Sequence, residues 1–346
     1  MLADELDYGL GVDTLRDERV MAVVTAPAGA VVAAAAAPAN AYGYRELLRV
    51  ADQHAPARRA WAVEGTGGYG AGLSRYLSAH GESVLEVSRR ARGERRLRGK
   101  DDALDAARAA RAALASDTLA LPRRGERREA LRLLLIARRS AVDVRREALT
   151  QLRAVIVTAP EPLRQQLRRL SEGKLLDRSS RLRRTSSPGA DELATRIVLR
   201  SLARRIRTAT VEADQLEREL LTHVRAPAPT LLDEPGVGPI VAAQLIVAWS
   251  HHGRLRSEAC LAGVAPVPAS SGQTTRHRLS RGGDRQLNRA LHTIALHRRH
   301  HDPATRDYIA RRVAEGKSRR DATRLLKRYL ARHLYRVFAQ QTPLTT

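Results

Sequence analysis

The first 118 residues alternate between two hydrophobic periods. Residues 8–13, 20–25 and 30–36 are short apolar runs, the third with low β propensity, and they predict three strands. Residues 42–53 instead place Tyr44, Leu47, Leu48 and Ala51 at helical spacing. A strand over 59–64, a helix over 70–80, a strand over 83–87 and a helix opening near Asp102 follow. This order of three strands, helix, strand, helix, strand, helix predicts an α/β sheet covered by helices.

Beyond that the pattern is helical. Over 127–156 and 191–224 the positions Leu131, Leu134, Leu135, Arg138 and Val142, then Leu216, Leu220 and Leu221, form one apolar stripe on an otherwise charged cylinder. The intervening stretch 173–190, containing RSSRLRRTSSPGA, predicts a loop or a locally disordered segment. Two helices so joined make an antiparallel hairpin or coiled-coil arm, read here as a spacer and dimerisation element with phosphate contacts along its arginine face. After Pro227 and Pro229 comes LLDEPGVGPIVAAQLIVAW, which has the form of a helix-hairpin-helix. There the turn at Gly236 and Gly238 lets backbone N–H groups approach a phosphate without reading sequence. A plain helix-turn-helix connection is the alternative. A basic helical tail over 308–338 ends the chain. Three domains are expected, over 1–120, 121–228 and 229–346: α/β first, all-α thereafter.

Charge sharpens this reading. Lys and Arg number 61 against 37 Asp and Glu, a formal net charge of +24 and a pI near 11.4. Only four of the bases are lysine, as GC-rich coding would favour, but such drift does not explain why acids fail to balance bases. The excess implies a polyanionic partner, nucleic acid rather than a membrane surface. The single cysteine, Cys260, excludes an internal disulfide framework and a multi-cysteine zinc site. The longest apolar run, 26–41, is interrupted by Pro27, Gly29 and Pro38 and does not reach the length of a membrane span. The opening acids Asp4, Glu5 and Asp7 have the wrong charge for a secretory signal. A cytoplasmic protein in contact with the chromosome is expected.

Candidate chemistry lies at both ends of the chain. Asp13 closes the first predicted strand and Glu64 the fourth, while Asp102 and Asp105 share one face at the start of a helix. If strands one and four are parallel neighbours, both carboxylates emerge at one sheet edge, the usual place for a site in an open α/β sheet. Four convergent carboxylates repel one another unless they hold metal, and oxygen ligands suit Mg²⁺ or Mn²⁺. Individually, Asp102 and Asp105 also suit a helix N-terminus and Asp13 a turn. The run SRRARGERRLRGK over 88–100 is too charged for a core and reads as a nucleic-acid backbone clamp or a solvated segment.

Toward the other end, Pro266, Pro268 and Gly272 break regular structure and place Ser270 and Ser271 on an exposed turn, followed by Arg276, His277, Arg278, Arg281, Arg285 and Arg289. A serine nucleophile aimed at a phosphodiester needs such a setting, because guanidinium forks neutralise charge building on the phosphate. A basic loop with incidental serines is the bland alternative. His297, His300 and His301 with Asp302 could form a zinc site, but lack a clear third ligand beyond Asp302 and are read as phosphate-facing.

The motifs GVD (11–13), VEGTGGYG (63–70), KDDALDA (100–106), PGVG (235–238) and LAGVAPVPASSG (261–272) followed by SRGGDRQLNRAL resemble, in that order and over nearly the whole chain, the DEDD transposases of insertion-sequence family one hundred and ten, the bridge-RNA-guided serine recombinases. The resemblance implies a RuvC-like domain of RNase H-like fold, a helical coiled-coil insertion and a C-terminal transposase domain. It implies a Mg²⁺ (or Mn²⁺) tetrad of Asp13, Glu64, Asp102 and Asp105, and Ser271 as nucleophile with Ser270 in reserve. The implied partners are donor and target double-stranded DNA, a structured guide RNA, and further copies of the chain in a dimer or tetramer. Two positions depart from the family pattern: Thr14-Leu15-Arg16 follows Asp13 where a lysine is common, and Asp101 stands where Thr or Ser is common. A RuvC-like junction-resolving nuclease, with water as attacking group, and an inactive nucleic-acid binding protein are the competing readings.

Overall fold

A computed structural model describes residues 1–87, 101–116, 119–183, 189–225, 228–255, 266–268, 277–279 and 284–340. The N-terminal part is a five-stranded mixed sheet of β1 (Tyr8–Thr14), β2 (Glu18–Thr25), β3 (Val31–Pro38), β4 (Arg59–Glu64) and β5 (Val84–Val87), in spatial order β3-β2-β1-β4-β5. β1, β2 and β3 form an antiparallel meander, while β4 and β5 join parallel to β1. Central strands are buried on both faces, which is why β1, β2 and β4 read as nearly continuous apolar runs. The alanine-rich β3 is the edge strand and is exposed over most of its length.

The two faces of the sheet differ in side-chain size. One face presents Leu10, Val12, Met21, Val23, Trp61 and Val63 to Tyr44 and Leu47 of α1 (Ala41–His54) and Leu73 and Leu77 of α2 (Ala71–Ala79). α1 starts where the Asn40 side chain accepts the Gly43 N–H at 3.0 Å. The other face presents Gly9, Gly11, Ala22 and Ala62 to α3 (Asp102–Leu114), which answers with alanines at 106, 107, 109, 110 and 113. A buried Leu, Val or Met contributes about 1.5–3 kcal/mol and a single methyl-sized group about 0.8 kcal/mol. The first face therefore supplies most of the hydrophobic stabilisation, and the second fixes how closely α3 approaches.

The remainder is mostly helical: α4 (Glu126–Thr158), α5 (Glu161–Leu167), α6 (Glu172–Ser180), α7 (Ala190–Arg225), α8 (Pro239–Trp249), a two-stranded ladder of β6 (Pro266–Pro268) with β7 (His277–Leu279), then α9 (Arg285–His301), α10 (Pro303–Ala314) and α11 (Arg319–Gln340). The stretch 173–190, expected to be a loop, is helical through Ser180. Leu175 and Ser179 sit one turn apart, both buried, and Leu175 packs into a cluster with Leu199, Leu202 and Ile206 of α7, which outweighs the helix-breaking composition. α4 and α7 run antiparallel, with Arg138 donating to Glu217 at 2.9 Å and Leu152 and Ile156 in the same cluster as Leu202 and Ile206.

By its internal contacts the chain divides into two compact units. The first comprises residues 1–128, 233–237 and 244–346; the second comprises 129–232 and 238–243. Residues 1–128 and 244–346 thus fall in the same unit. Among the described residues no helix is long and apolar enough to cross a membrane.

Candidate functional site

β1 and β4 pair in parallel with Val12 opposite Val63, so Asp13 and Glu64 end neighbouring strands at the same sheet edge. The Thr14 hydroxyl donates to the Glu64 carbonyl at 3.2 Å and ties the two ends together. Asp13 is buried, and Glu64 is half-buried. Directly after Glu64 the chain turns through Gly65, at φ +61°, and the carbonyl of Gly65 accepts the N–H groups of Gly68 (2.8 Å) and Gly70 (3.1 Å). A left-handed residue followed by this tight turn is what the glycines of VEGTGGYG make possible.

The first turn of α3 is brought to the same edge by close contact with β1. A Cβ on Gly9 would meet Leu114 at 3.0 Å, and one on Gly11 would overlap the Ala106 carbonyl and lie 2.6 Å from the Ala110 nitrogen. The helix therefore runs antiparallel to the strand. Two strand residues advance about 6.6 Å and four helical residues about 6 Å, so the next inward position, Asp13, comes level with the turn bearing Asp102 and Asp105. Asp101, the residue out of keeping with the family pattern, is the N-cap and accepts the N–H groups of Ala103 (3.0 Å) and Leu104 (3.3 Å). Asp105 also pairs with Arg108 at 3.0 Å.

The donor chemistry of these four positions, oxygen only, fits Mg²⁺ or Mn²⁺, and the shared edge fits a site. Among the described residues, however, no three His, Cys, Asp or Glu side chains stand close enough together to hold an ion. The histidines of α9 are occupied otherwise. The His297 ring packs tilted against that of His301 (4.5 Å between centroids) and lies against Gly236, whose added Cβ would meet it at 3.2 Å, and Asp302 caps α10 through Thr305. Arg298 donates to the Pro235 carbonyl and to Glu234, both at 2.8 Å. The turn at Gly236 is thus half covered by α9, and Gly238 remains exposed.

Ser270, Ser271, Gly272, Arg276, Arg281 and the run 88–100 lie outside the described residues. The backbone of Arg278 pairs with Val267 in the β6–β7 ladder, so the ends of the serine-bearing connection meet. Arg285 and Arg289, one turn apart on α9, are exposed, opposite a buried face of Leu287, Ala290 and Leu291.

Sequence reading missed a partly buried ion-pair network that joins the N-terminal edge to the end of the serine segment. Glu86 of β5 accepts from Arg254 (2.8 Å) and from the fully buried Thr66 hydroxyl (2.8 Å), and it faces Arg123 at 3.3 Å. Arg123 donates onward to Asp284 at 3.0 Å, whose other oxygen caps α9 through Gln286 and Leu287. Burial pushes the Glu86 carboxyl up, but Arg123 and Arg254 outweigh it and hold the group below the usual carboxylate range. Arg254 is lowered, chiefly by burial. Buried Arg19 donates to the Leu15, Glu18 and Tyr69 carbonyls, which fastens the β1–β2 hairpin to the turn after Glu64.

Two family models match this chain. One, described as a transposase of the DEDD type of IS110, covers residues 10–159 and so takes in Asp13, Glu64, Asp102 and Asp105. The other, described as the transposase IS116/IS110/IS902 family, covers residues 228–310 and so takes in PGVG and the serine stretch. The chain belongs to the IS110 family of transposases. An insertion-element IS110 protein of Streptomyces coelicolor, described as an uncharacterized 43.6 kDa protein, is 35% identical over 138 residues, 38% of this chain and 34% of the relative. The match therefore spans about a third of that relative's length. Both ends of the IS110-family chain that carry candidate chemistry fall inside the matched segments.

Proposed function

We propose that this IS110-family chain is a DNA transposase that cuts and rejoins strands through a covalent bond between phosphate and Ser271, with Ser270 the alternative nucleophile. The observation that carries the reading is the parallel register of β1 and β4, which ends Asp13 and Glu64 at one sheet edge with the first turn of α3 level with it, in a chain whose other matched segment supplies the serines. The sheet order, an antiparallel meander continued by two parallel strands, supports a RuvC-like domain of RNase H-like fold. Asp13, Glu64, Asp102 and Asp105 are the residues that would hold Mg²⁺ (or Mn²⁺), which supplies neutralisation of charge at the scissile phosphate.

In the cleavage step the Ser271 Oγ–P bond forms as the bond from phosphorus to the leaving deoxyribose oxygen breaks. The serine proton passes to a base and the leaving oxygen takes a proton. The phosphoester bond is retained on the enzyme, so the reverse attack by a strand end rejoins DNA without ATP. Arg276, Arg278 and Arg281 stabilise the phosphate; Arg285, Arg289 and the exposed backbone at Gly238, with Gly236 beside it, hold the DNA backbone. Donor and target DNA, a structured guide RNA that delegates sequence choice to base pairing, and further protomers assembled through the helical arm complete the proposed machine. The arginine excess and the scarcity of aromatics, 3% of residues, support backbone recognition over base stacking.

The test mixes protein, Mg²⁺ and end-labelled element DNA with its flanking RNA, denatures the mixture and looks for label on the protein band. Label that disappears in Ser271→Ala supports the recombinase. Free labelled ends with no labelled protein would support the competing junction nuclease.

A further inference from the structure

The second unit contains a concavity of about 530 Å³ between α5, α6 and α7. Its walls hold Lys174, Arg178, Arg181, Arg183 and Arg196 against a single acid, Asp177. Asp177 is already bonded to Arg207, and Arg196 to Glu192. The other four cations have no carboxylate partner among the described residues. Lys174, Arg178 and Arg181 lie at i, i+4 and i+7, stacked on one face of α6 and its continuation, where like charges destabilise one another unless an anion sits among them. Leu170 and Leu182 supply an apolar patch, and Gln166 an amide.

We infer that this pocket binds the sugar-phosphate chain of an unpaired stretch of nucleic acid, a contact separate from the DEDD edge and the serine segment. Guanidinium forks take phosphate oxygens bidentately, and the leucine patch suits a sugar or the face of a base. A cavity of this size lies in the range that encloses small ligands, which suits a flexible single strand or a loop better than a rigid duplex. The inference rests on the nucleic-acid reading above but not on the phosphoserine: a chain that forms no covalent adduct would still bind here.

The experiment uses the full chain and fluorescein-labelled oligonucleotides of about 15 nucleotides, as single-stranded RNA, single-stranded DNA and a DNA duplex of the same sequence. Anisotropy titrations run from about 50 to 200 mM salt. The pocket variant is K174Q/R178Q/R181Q; a charge-matched control, R45Q/R49Q/R75Q, removes three exposed arginines from α1 and α2. Loss of three phosphate contacts should lower the slope of log K against log salt by about 2 on single strands. The control triple should change it far less, and the duplex should respond equally to both. A charge-conserving variant, K174R/R178K/R181K, should keep the wild-type slope and guards against loss of fold. Equal loss on RNA and single-stranded DNA identifies the backbone as the ligand, and loss confined to RNA identifies a ribose-dependent contact; both support the pocket. Equal effects of the two glutamine triples on single strands would reduce the pocket to a share of the general +24 field and overturn the inference.

Discussion

Gly11→Ala tests the step on which the geometry of the acidic edge depends. The added Cβ would overlap the Ala106 carbonyl and stand 2.6 Å from the Ala110 nitrogen, where ordinary contact begins at 3.4 Å. From Ala110 alone the helix must retreat 0.8 Å, and the Ala106 carbonyl demands more. Both obstacles are helix backbone, which no rotamer change can move aside. Overpacking of a core typically costs about 1–3 kcal/mol, and this contact belongs at or above the upper end, about 3 kcal/mol. Gly9→Ala is the matched control, because its Cβ would meet only the Leu114 side chain at 3.0 Å, which can shift within its rotamer well at about 1 kcal/mol. In urea, with a slope of about 1–3 kcal/mol per molar, the Gly11 variant should lose about 1 M or more of midpoint and the Gly9 variant well under half of that. The retreat also carries Asp102 and Asp105 away from Asp13, and a misplacement of about 1 Å lowers rate on the order of 10²-fold. Adduct yield under conditions where the variant is still folded reads this second effect. A Gly11→Ala midpoint equal to that of Gly9→Ala would refute the close approach of α3.

Glu86→Gln leaves the buried Arg254 and the half-buried Arg123 with a weaker partner and should destabilise by about 3 kcal/mol in thermal melts. Glu86 has a folded pKa below its ordinary 4.5, so its contribution is complete above that pH and is lost as pH falls through the folded value. Melts between pH 6 and pH 3 should therefore fall less steeply in Glu86→Gln than in wild type; parallel curves would remove Glu86 from the acid response. Asp105→Asn breaks a partly exposed pair with Arg108 and should change stability by less than about 1 kcal/mol. If Asp105 serves the reaction, adduct yield should fall at least tenfold in the same variant, and unchanged yield would assign the residue to its helix alone.

The N-terminal sheet was legible because its central strands are buried on both faces, so strand pattern and burial agree. Asp13 and Glu64 could be placed on one edge by asking only whether strands one and four were parallel neighbours, and the register answers that they are. α6 was hidden by local composition: a glycine and two serines outweighed Leu175 on paper, and only α7 across from it supplies the surface that makes a helix favourable there. The union of the first and last segments could not be read either. Arg254 and Glu86 are 168 positions apart, each looks like an ordinary surface charge, and VEGTGGYG draws the eye to its glycines while the buried group is Thr66.

That hidden network and the small-residue face of the sheet perform complementary tasks. Hydrophobic burial is non-directional and fixes little beyond which faces meet, so the large residues under α1 and α2 stabilise the sheet without setting any distance finely. Backbone contact at Gly11 and fork geometry at Arg123 and Arg254 are directional and tolerate little displacement. Both act at the edge where β1, β4 and β5 end: Gly11 is two residues from Asp13, Thr66 two residues from Glu64, and Asp284 closes the segment that contains Ser271. Stiff contacts placed two residues from Asp13 and from Glu64, rather than on them, restrict where those two backbones can go. A chain assembled on hydrophobic contacts alone would have no reason to concentrate its least forgiving contacts there.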